Sequence, residues 1–461
     1  MYKQKQTMTE SKPIPHPTFW MIAAACISYS GYEFARAAST SLLISELGAA
    51  AMPPALICVA IAAYIFVATY RIHLTKNGAR SALYLSAIGI AIFFLFSSLL
   101  LTLNPNATPT RKVVVFFVFV VRQAYVTFLS SQQFSFIVSL LESNQNSLGP
   151  IYGCSSLASA FAAAGASMVI SPVLSLFIAS MTLFISAFVA DVAYKTAFAD
   201  INLSHRLQRN TTTKKNTTKK NTTQAISSSS PSSSSSIKST SSPSPSPGGS
   251  SYFNLPSIFT EHPQLFTLFV TTFIMQMIGA IINLSYSELL ETELPTAAAR
   301  NSFVGRFYFI ANFVSCIIQF LGLKYLVQYV GLHLLMIVQP ALIVTMICMA
   351  TMKTSIWTVA FTMLTMKTIE YSIFSAVKDL TYLPLSFEAR FLAKEYTDVF
   401  AYRAGKMFCA VLLTLIGLVA HQLESKELLS LSIFLGGIWL YIAFSSRNQV
   451  VTNHRIEPVK Q

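Results

Sequence analysis

Long apolar segments alternate with short polar loops along almost the whole chain. Six such segments precede a polar tract, and six follow it. The first six lie at 18–45, 53–71, 81–103, 113–141, 149–170 and 173–195, and the last six lie at 263–290, 303–328, 331–352, 355–376, 398–420 and 428–445. Since about 20 apolar residues in a helix span the hydrocarbon core of a bilayer, the pattern predicts an all-α membrane protein with twelve transmembrane helices in two six-helix halves.

The tract between the halves is rich in Ser, Thr and Lys. It reads NTTTKKNTTKKNTTQ and then SSSSPSSSSSIKSTSSPSPSPGGSS. These side chains bury little apolar surface, so residues 199–252 are predicted to form a disordered linker. The predicted organisation is a tail at 1–17, a helical half at 18–198, the linker, a second half at 253–446, and a tail at 447–461.

The charge distribution predicts how the chain lies in the membrane. Lys and Arg outnumber Asp and Glu by 32 to 18, and the linker between residues 201 and 250 holds basic residues but no acidic one. Basic residues collect in cytoplasmic loops, so the linker and both termini are predicted to be cytoplasmic. Because the basic surplus lies mostly in loops, it indicates orientation, and no nucleic-acid partner is expected.

Neither the cysteines nor the histidines indicate a catalytic or metal centre. The six Cys lie singly in apolar segments without a CxxC pair, and the seven His are scattered without an HExxH motif. Gly405-Lys406 resembles the end of a P-loop, but Phe400 replaces its first glycine and Met407 its Ser or Thr. We therefore expect no metal, no cofactor and no enzymatic activity.

Charged residues within the apolar segments are the candidates for function. Only 11% of the chain is charged, and an ionisable group inside a membrane is costly. The candidate substrate-binding residues are Arg36, Arg122, Gln123, Asn283, Lys378, Arg403 and Lys406. The candidate charge-pairing residues are Glu33, Lys367, Glu370 and Asp398.

Two pairs among these candidates have a structural alternative. Glu33 and Arg36 share a helix face, so they either neutralise each other or leave Arg36 as an anion ligand. Arg122 and Gln123 interrupt an apolar run, and either make an interhelical hydrogen bond or line a pore.

Arg403 and Lys406 stand three residues apart on one helix face. They repel each other unless an anion, or a carboxylate such as Asp398, lies between them. A positively charged cavity predicts an anionic cargo. Phosphate groups fit best, since Arg offers a fork of donors and Lys a compact charge.

One long stretch resembles a known family. It comprises EYSIF at 370–374, KDLTYLPL at 378–385, Ala393-Lys394, Asp398 and RAGK at 403–406. Weaker similarities are INL at 282–284, SFVG at 302–305, PIYG at 150–153 and Arg36 with Leu42-Leu43. Together they resemble the ATP/ADP translocases, the major-facilitator-like nucleotide transporters of plastids and of intracellular bacteria and parasites.

The resemblance implies exchange of ATP and ADP, or of related nucleoside tri- and diphosphates, by alternating access. It also implies that Lys406 and Lys378 are the functional lysines of that family. The sequence departs from the pattern at Ser39, where the family has a lysine, and at Gln123, where it has a glutamate. It departs again near Tyr286 and at Arg306, where the family has acidic residues.

These departures leave two alternatives open. The first is a facilitator for another phosphorylated or anionic metabolite, with or without proton coupling. The second is a transport-inactive membrane receptor or scaffold, whose Ser-rich linker is phosphorylated and recruits partners.

The expected partners are a nucleotide substrate and the lipid bilayer, and the chain is expected to be a monomer. The first seventeen residues are polar and carry no secretory signal. They also leave no room for a plastid transit peptide. The expected location is therefore the plasma membrane of an intracellular parasite or bacterium, rather than a plastid envelope.

Overall fold

The computed structural model describes residues 16–106, 108–140, 148–223, 259, 262–322, 325–382, 395–419 and 424–453. Every regular element in these ranges is a helix, which confirms the predicted all-α class. The first half contains α1 (His16–Leu47), α2 (Met52–Leu103), α3 (Pro109–Leu140), α4 (Leu148–Met168) and α5 (Pro172–Thr223). The second half contains α6 (Pro263–Glu293), α7 (Ala297–Ile317), α8 (Leu332–Met352), α9 (Ile356–Ile369), α10 (Ser375–Tyr382), α11 (Tyr402–Val419) and α12 (Ser425–Asn453).

Helix α2 joins two of the predicted segments through a kink at Gly78. This glycine has φ 79° and ψ 166°, a conformation that side chains with a Cβ rarely adopt. The kink separates two apolar spans, Ala49–Leu74 and Lys76–Leu103. The sequence pattern placed the break between residues 71 and 81, and Gly78 supplies its physical cause.

The described part of the second half contains four π-helical turns, and two of them, Ile318–Gly322 and Leu326–Val330, lie between α7 and α8. Residues Glu370–Phe374 form a π-helix between α9 and α10, and Glu395–Ala401 form another directly before α11. Such turns shift the register of the helical hydrogen bonds and are frequent at functional sites. The latter two turns fall within the stretch of 366–409 where the charged residues are most concentrated.

The described helices fit the predicted plan of six segments in each half, counting α2 as two segments and α9 with α10 as one. Among them, eight are long and apolar enough to cross a membrane. Helices α1, α9 and α11 are not among these eight, and α9 has only 14 residues. Helix α1 carries the buried Glu33 and Arg36, and α11 carries the buried Arg403.

The linker begins later than expected. We placed its start at residue 199, but α5 continues as a helix to Thr223. The chain has neither Pro nor Gly between Pro172 and Pro231, and a helix that is already nucleated propagates at little cost. The remaining linker residues from 224 to 252 lie outside the described part of the structure.

Each half is built around one central helix. Helix α1 packs against α3, α4 and α5, while α6 packs against α9, α11 and α12. The halves meet where α4 and α1 contact α7 and where α2 contacts α11. Apolar clusters line these contacts, and one of them includes residues of both halves, such as Ala37 of α1 and Ile278 of α6.

The halves are also joined by polar contacts at the end of the bundle away from the linker. Arg300 Nη1 donates to Ser45 Oγ at 2.9 Å, and the backbone N–H of Ala49 donates to Glu291 Oε2 at 2.7 Å. Each of these bonds connects a residue of the first half to one of the second. The interface is therefore tied at this end in the conformation described.

A glycine sets the distance between α11 and α6. A Cβ added at Gly405 would collide with the backbone oxygen of Phe273, whereas one added at Gly417 on the same helix meets nothing within 4 Å. We predict that Gly405→Ala lowers the free energy of unfolding by about 1–3 kcal/mol through overpacking. The matched variant Gly417→Ala should be neutral or more stable by up to about 1 kcal/mol.

The apparent unfolding temperature of each purified variant in detergent measures this difference. A lower unfolding temperature for Gly405→Ala alone is expected. Equal unfolding temperatures for the two variants would show that the contact with Phe273 does not limit the packing.

Candidate functional site

Seven charged side chains form a cluster where the two halves meet. They are Glu33 and Arg36 of α1, Arg122 of α3, Lys367 of α9, Glu370 of the following π-helix, and Arg403 and Lys406 of α11. All are buried or partly buried. Five basic side chains against two acidic ones leave a formal surplus of three positive charges. We call this set the central cluster.

Arg36 is neutralised and bridges the halves. Its guanidinium forms an ion pair with Glu33, and both side chains are 3% exposed. Its Nη1 donates to Tyr371 Oη at 3.0 Å, and its Cζ lies 3.3 Å from the ring centroid of Tyr308. Asn312 donates to Glu33 Oε1 at 3.0 Å. Of the two alternatives for this pair, the geometry matches mutual neutralisation.

Lys367 and Glu370 form a second internal pair. Lys367 Nζ lies 2.6 Å from Glu370 Oε2, and Gln276 Nε2 donates to Glu370 Oε1 at 3.0 Å. The pair spans the junction where α9 becomes π-helical. Its two charges cancel, so it adds polarity to the cluster without adding net charge.

Arg122 has a different environment. It is 2% exposed, its Nε donates to Ser39 Oγ at 2.9 Å, and its Nη2 donates to Thr40 Oγ1 at 3.2 Å. Its Cζ lies 4.8 Å from the ring centroid of Phe119. Among the described residues, no carboxylate lies within ion-pair distance of this guanidinium.

Of the two basic residues of α11, Arg403 reaches the first half and Lys406 contacts a tyrosine of its own helix. Arg403 Nη2 donates to the backbone oxygens of Gln123 at 3.0 Å and of Ala124 at 3.4 Å. Lys406 Nζ donates to Tyr402 Oη at 3.1 Å. In the described part of the chain, Lys406 forms no ion pair with a carboxylate.

Three predicted substrate-binding residues are not among the charged side chains of the central cluster. They are Lys378, Asn283 and Gln123. Lys378 Nζ lies 2.6 Å from Asp398 Oδ1, so this carboxylate pairs with Lys378 rather than standing between Arg403 and Lys406. Asn283 Nδ2 contacts Met52 Sδ at 3.2 Å. Gln123 offers its backbone oxygen to Arg403, as described above.

Sequence reasoning missed the tyrosines that surround the basic groups. Lys406 Nζ lies 4.3 Å from the ring centroid of Tyr402, and Arg36 Cζ lies 4.7 Å from that of Tyr32. Both tyrosines precede their partner by four residues, a spacing that places them on the same helix face. Tyr371 follows Lys367 by four residues, and its ring centroid lies 5.7 Å from Lys367 Nζ. Tyr308 comes from another helix, and no local spacing indicates it.

Comparison with known proteins bears on the fold. No family model matches the chain, and no curated protein matches it. The solved structure of the nucleoside transporter NupG superposes with a TM-score of 0.52 and 11% identity, over 94% of this chain and 98% of that one. A bacterial homologue of the iron transporter ferroportin, facing inward, gives a TM-score of 0.58 and 12% identity, over 94% and 99%.

A POT family transporter in complex with a thioalcohol-conjugated peptide gives a TM-score of 0.56 and 12% identity, over 95% of this chain and 96% of that one. Identities this low show the fold alone. The chain is thus a multi-pass membrane protein with the major-facilitator fold, which confirms the predicted fold class and is consistent with the predicted twelve spans. Membership of the ATP/ADP translocases in particular stays a prediction.

The Glu33–Arg36 pair predicts a large stability effect. Glu33→Gln leaves Arg36 buried without its counter-charge, which should cost about 3–5 kcal/mol. Asp191→Asn is the control, because the Arg80 side chain that it pairs with is 43% exposed and such pairs contribute about 0–1 kcal/mol. Adding Arg36→Gln to Glu33→Gln should recover part of the loss.

Chemical or thermal unfolding of the purified variants checks this order. If Glu33→Gln unfolds no more easily than Asp191→Asn, the pair does not carry the charge balance that its burial indicates.

Proposed function

We propose that the chain is a secondary transporter that carries nucleotides, ATP and ADP or related tri- and diphosphates, across a membrane. It does so by exchange through alternating access of the central cluster to the two sides. The fold supports transport in general, because the similar structures are a nucleoside transporter, a bacterial homologue of an iron transporter and a POT family transporter in complex with a thioalcohol-conjugated peptide. Substrate sites of such folds lie near the bilayer midplane between the repeats.

The observation that carries the proposal is the positive surplus of the central cluster. Removing an ion from water costs several kcal/mol unless opposite charge and hydrogen bonds replace the hydration. Two of the five cations have a carboxylate partner within the cluster, Arg36 with Glu33 and Lys367 with Glu370. An anionic cargo supplies the missing negative charge at the point where the halves meet.

Two features favour a nucleotide among anions. Four tyrosines, Tyr32, Tyr308, Tyr371 and Tyr402, stand against the basic groups, and stacking of a base on an aromatic ring contributes about 1–3 kcal/mol in other proteins. The stretch from Glu370 to Lys406 also carries the resemblance to the ATP/ADP translocases, and it supplies three of the seven charged groups, Glu370, Arg403 and Lys406.

The proposed orientation follows from the distribution of basic loops. The linker and both termini face the cytoplasm, and the tied end of the bundle faces the other side. The proposed membrane is the plasma membrane of an intracellular parasite or bacterium.

Lys406 provides the direct test of transport. We predict that Lys406→Ala reduces the uptake of labelled ATP by bacterial cells expressing the protein at least ten-fold, because the cargo loses one of its charge partners. Lys406→Arg keeps the charge and should retain part of the activity. Arg306→Ala is the control, since Arg306 lies in a membrane helix but is exposed outside the cluster.

Membrane insertion is verified for each variant by its amount in the membrane fraction. Unchanged ATP uptake by a normally inserted Lys406→Ala variant would contradict the proposal.

Competition separates nucleotides from other phosphorylated metabolites. Unlabelled ATP and ADP should suppress the uptake of labelled ATP in proteoliposomes. Sugar phosphates at equal concentration should leave most of this uptake unchanged. Preloading the vesicles with ADP should accelerate uptake if the mechanism is exchange. Suppression by sugar phosphates at equal or lower concentration would instead favour the facilitator for another anionic metabolite.

A further inference from the structure

The tied end of the bundle, away from the linker, is closed by two short stretches of chain, one from each half. Residues 41–52 run from the end of α1 into the start of α2, and residues 283–300 run from the end of α6 into the start of α7. We call the hydrogen bonds between these two stretches the clasp. In an alternating-access protein the halves must separate at this end before the centre can be reached from it, so the clasp bonds must then break.

One face of α6 carries the first part of the clasp. Asn283, Ser287 and Glu291 follow one another at intervals of four residues, a spacing that places them on the same helix face. Met52 Sδ of α2 accepts from Asn283 Nδ2 at 3.2 Å and from Ser287 Oγ at 3.4 Å. The backbone N–H of Ala49 donates to Glu291 Oε2 at 2.7 Å. Three successive turns of α6 are therefore joined to the start of α2 in the other half.

A glycine before α2 allows the bond to Glu291. Gly48 has φ 79°, a conformation that side chains with a Cβ rarely adopt. A Cβ added at Gly48 would lie 3.2 Å from Glu291 Oε1. The turn between α1 and α2 thus brings the N–H of Ala49 against the carboxylate without a side chain in between.

Arg300 of α7 carries the second part of the clasp. Its Nε donates to the backbone oxygen of Leu294 at 2.6 Å, and its Nη2 donates to that of Pro295 at 3.0 Å. These two bonds hold the guanidinium against its own half. The third bond, from Nη1 to Ser45 Oγ at 2.9 Å, crosses to the first half.

The clasp extends from an exposed rim into the buried interface. Ser45 and Glu291 are exposed, whereas Ser41 and Ser287 are 0% exposed. Behind the rim, Ser41 Oγ donates to the backbone oxygen of Ala297 at 2.6 Å. Solvent at this end therefore reaches the rim but not the residues behind it in the conformation described.

We propose that the clasp is a latch that sets the share of molecules open at this end, and that Glu291 and Arg300 are its gating residues. Each makes one bond to the other half through a charged group, and such bonds are stronger than those between neutral groups. Both bonds lie at the rim, so they must break before the buried contacts behind them separate. The latch rests on the alternating access of the proposed function and is independent of the identity of the cargo.

The test measures how fast a buried reporter cysteine is reached from solvent. Ser287→Cys places a thiol behind the rim, and its modification by a water-soluble maleimide is followed in the purified, full-length protein by peptide mass spectrometry. Glu291→Ala and Arg300→Gln, combined on this background, should raise the modification rate about ten-fold, because losing two charge-assisted bonds shifts the equilibrium toward the open state.

Two matched residues provide the control. Glu293 Oε1 accepts from the backbone N–H of Ile356 at 3.0 Å, and Arg111 Nε donates to Glu46 Oε1 at 2.7 Å. Both contacts stay within one half. Glu293→Ala and Arg111→Gln, combined on the same reporter background, should therefore leave the modification rate within about two-fold of the unaltered clasp.

A milder variant keeps the proposal testable if the combined clasp variant does not fold. Ser45→Ala removes the bond that crosses to the first half and leaves the two backbone bonds of Arg300 in place. It should raise the modification rate in the same direction by a smaller factor. Elution of each variant as a single species from gel filtration verifies folding.

A cross-link relates the latch to transport. Ser41→Cys and Ala297→Cys, bridged by a short, reducible thiol cross-linker, should abolish the uptake of labelled ATP by proteoliposomes, because the clasp can no longer open. Reduction of the cross-linker should restore uptake. The double variant without the cross-linker is the control.

The outcomes separate the latch from the proposed function. Equal modification rates for the clasp and control variants would overturn the latch. Undiminished ATP uptake by the bridged protein would overturn the latch and leave nucleotide transport standing. Faster modification of the clasp variants, in a protein that takes up no ATP, would support the latch and overturn nucleotide transport.

Discussion

The central constraint on this protein is the burial of positive charge inside a helical bundle that lies in a membrane. Five basic side chains and two acidic ones share the region between the halves. Transferring such groups out of water is costly, and each one needs a counter-charge, a set of hydrogen bonds or an aromatic face. Two ion pairs, several tyrosine rings and a row of hydroxyl and backbone oxygens meet most of that need, and an anionic cargo is proposed to meet the rest.

The same constraint explains how the helices around the cluster are built. Helices α1, α9 and α11 supply Glu33, Arg36, Lys367, Arg403 and Lys406 to the cluster within otherwise apolar segments. Gly405 lets α11 approach the backbone of α6, and Arg403 fastens α11 to α3. The close packing against α6 and the polar contacts with α3 hold the start of α11, and with it Arg403, at the boundary of the two halves. Because these contacts hold the helices of both halves together, basic residues of one half can interact with a cargo bound to the other.

The fold class was predictable from the sequence because hydropathy alone marks membrane segments. Two predicted segments are joined in helix α2, and the kink at Gly78 marks the boundary between them. The start of the linker was not predictable, since polar residues without Pro or Gly can prolong an existing helix. The Glu33–Arg36 and Lys367–Glu370 pairs follow from spacing along one helix. The partners of Arg122 and Arg403 come from other helices, and a pattern within one segment contains no information about them.

The most direct measurement of the central claim is the affinity of the purified protein for adenosine, AMP, ADP and ATP at one ionic strength. The base and sugar are constant in this series, so the differences report the charge of the ligand. The account predicts that affinity rises with each phosphate group, with the largest step between AMP and ADP. Equal affinity for adenosine and ATP would show that the buried positive charge does not bind the cargo.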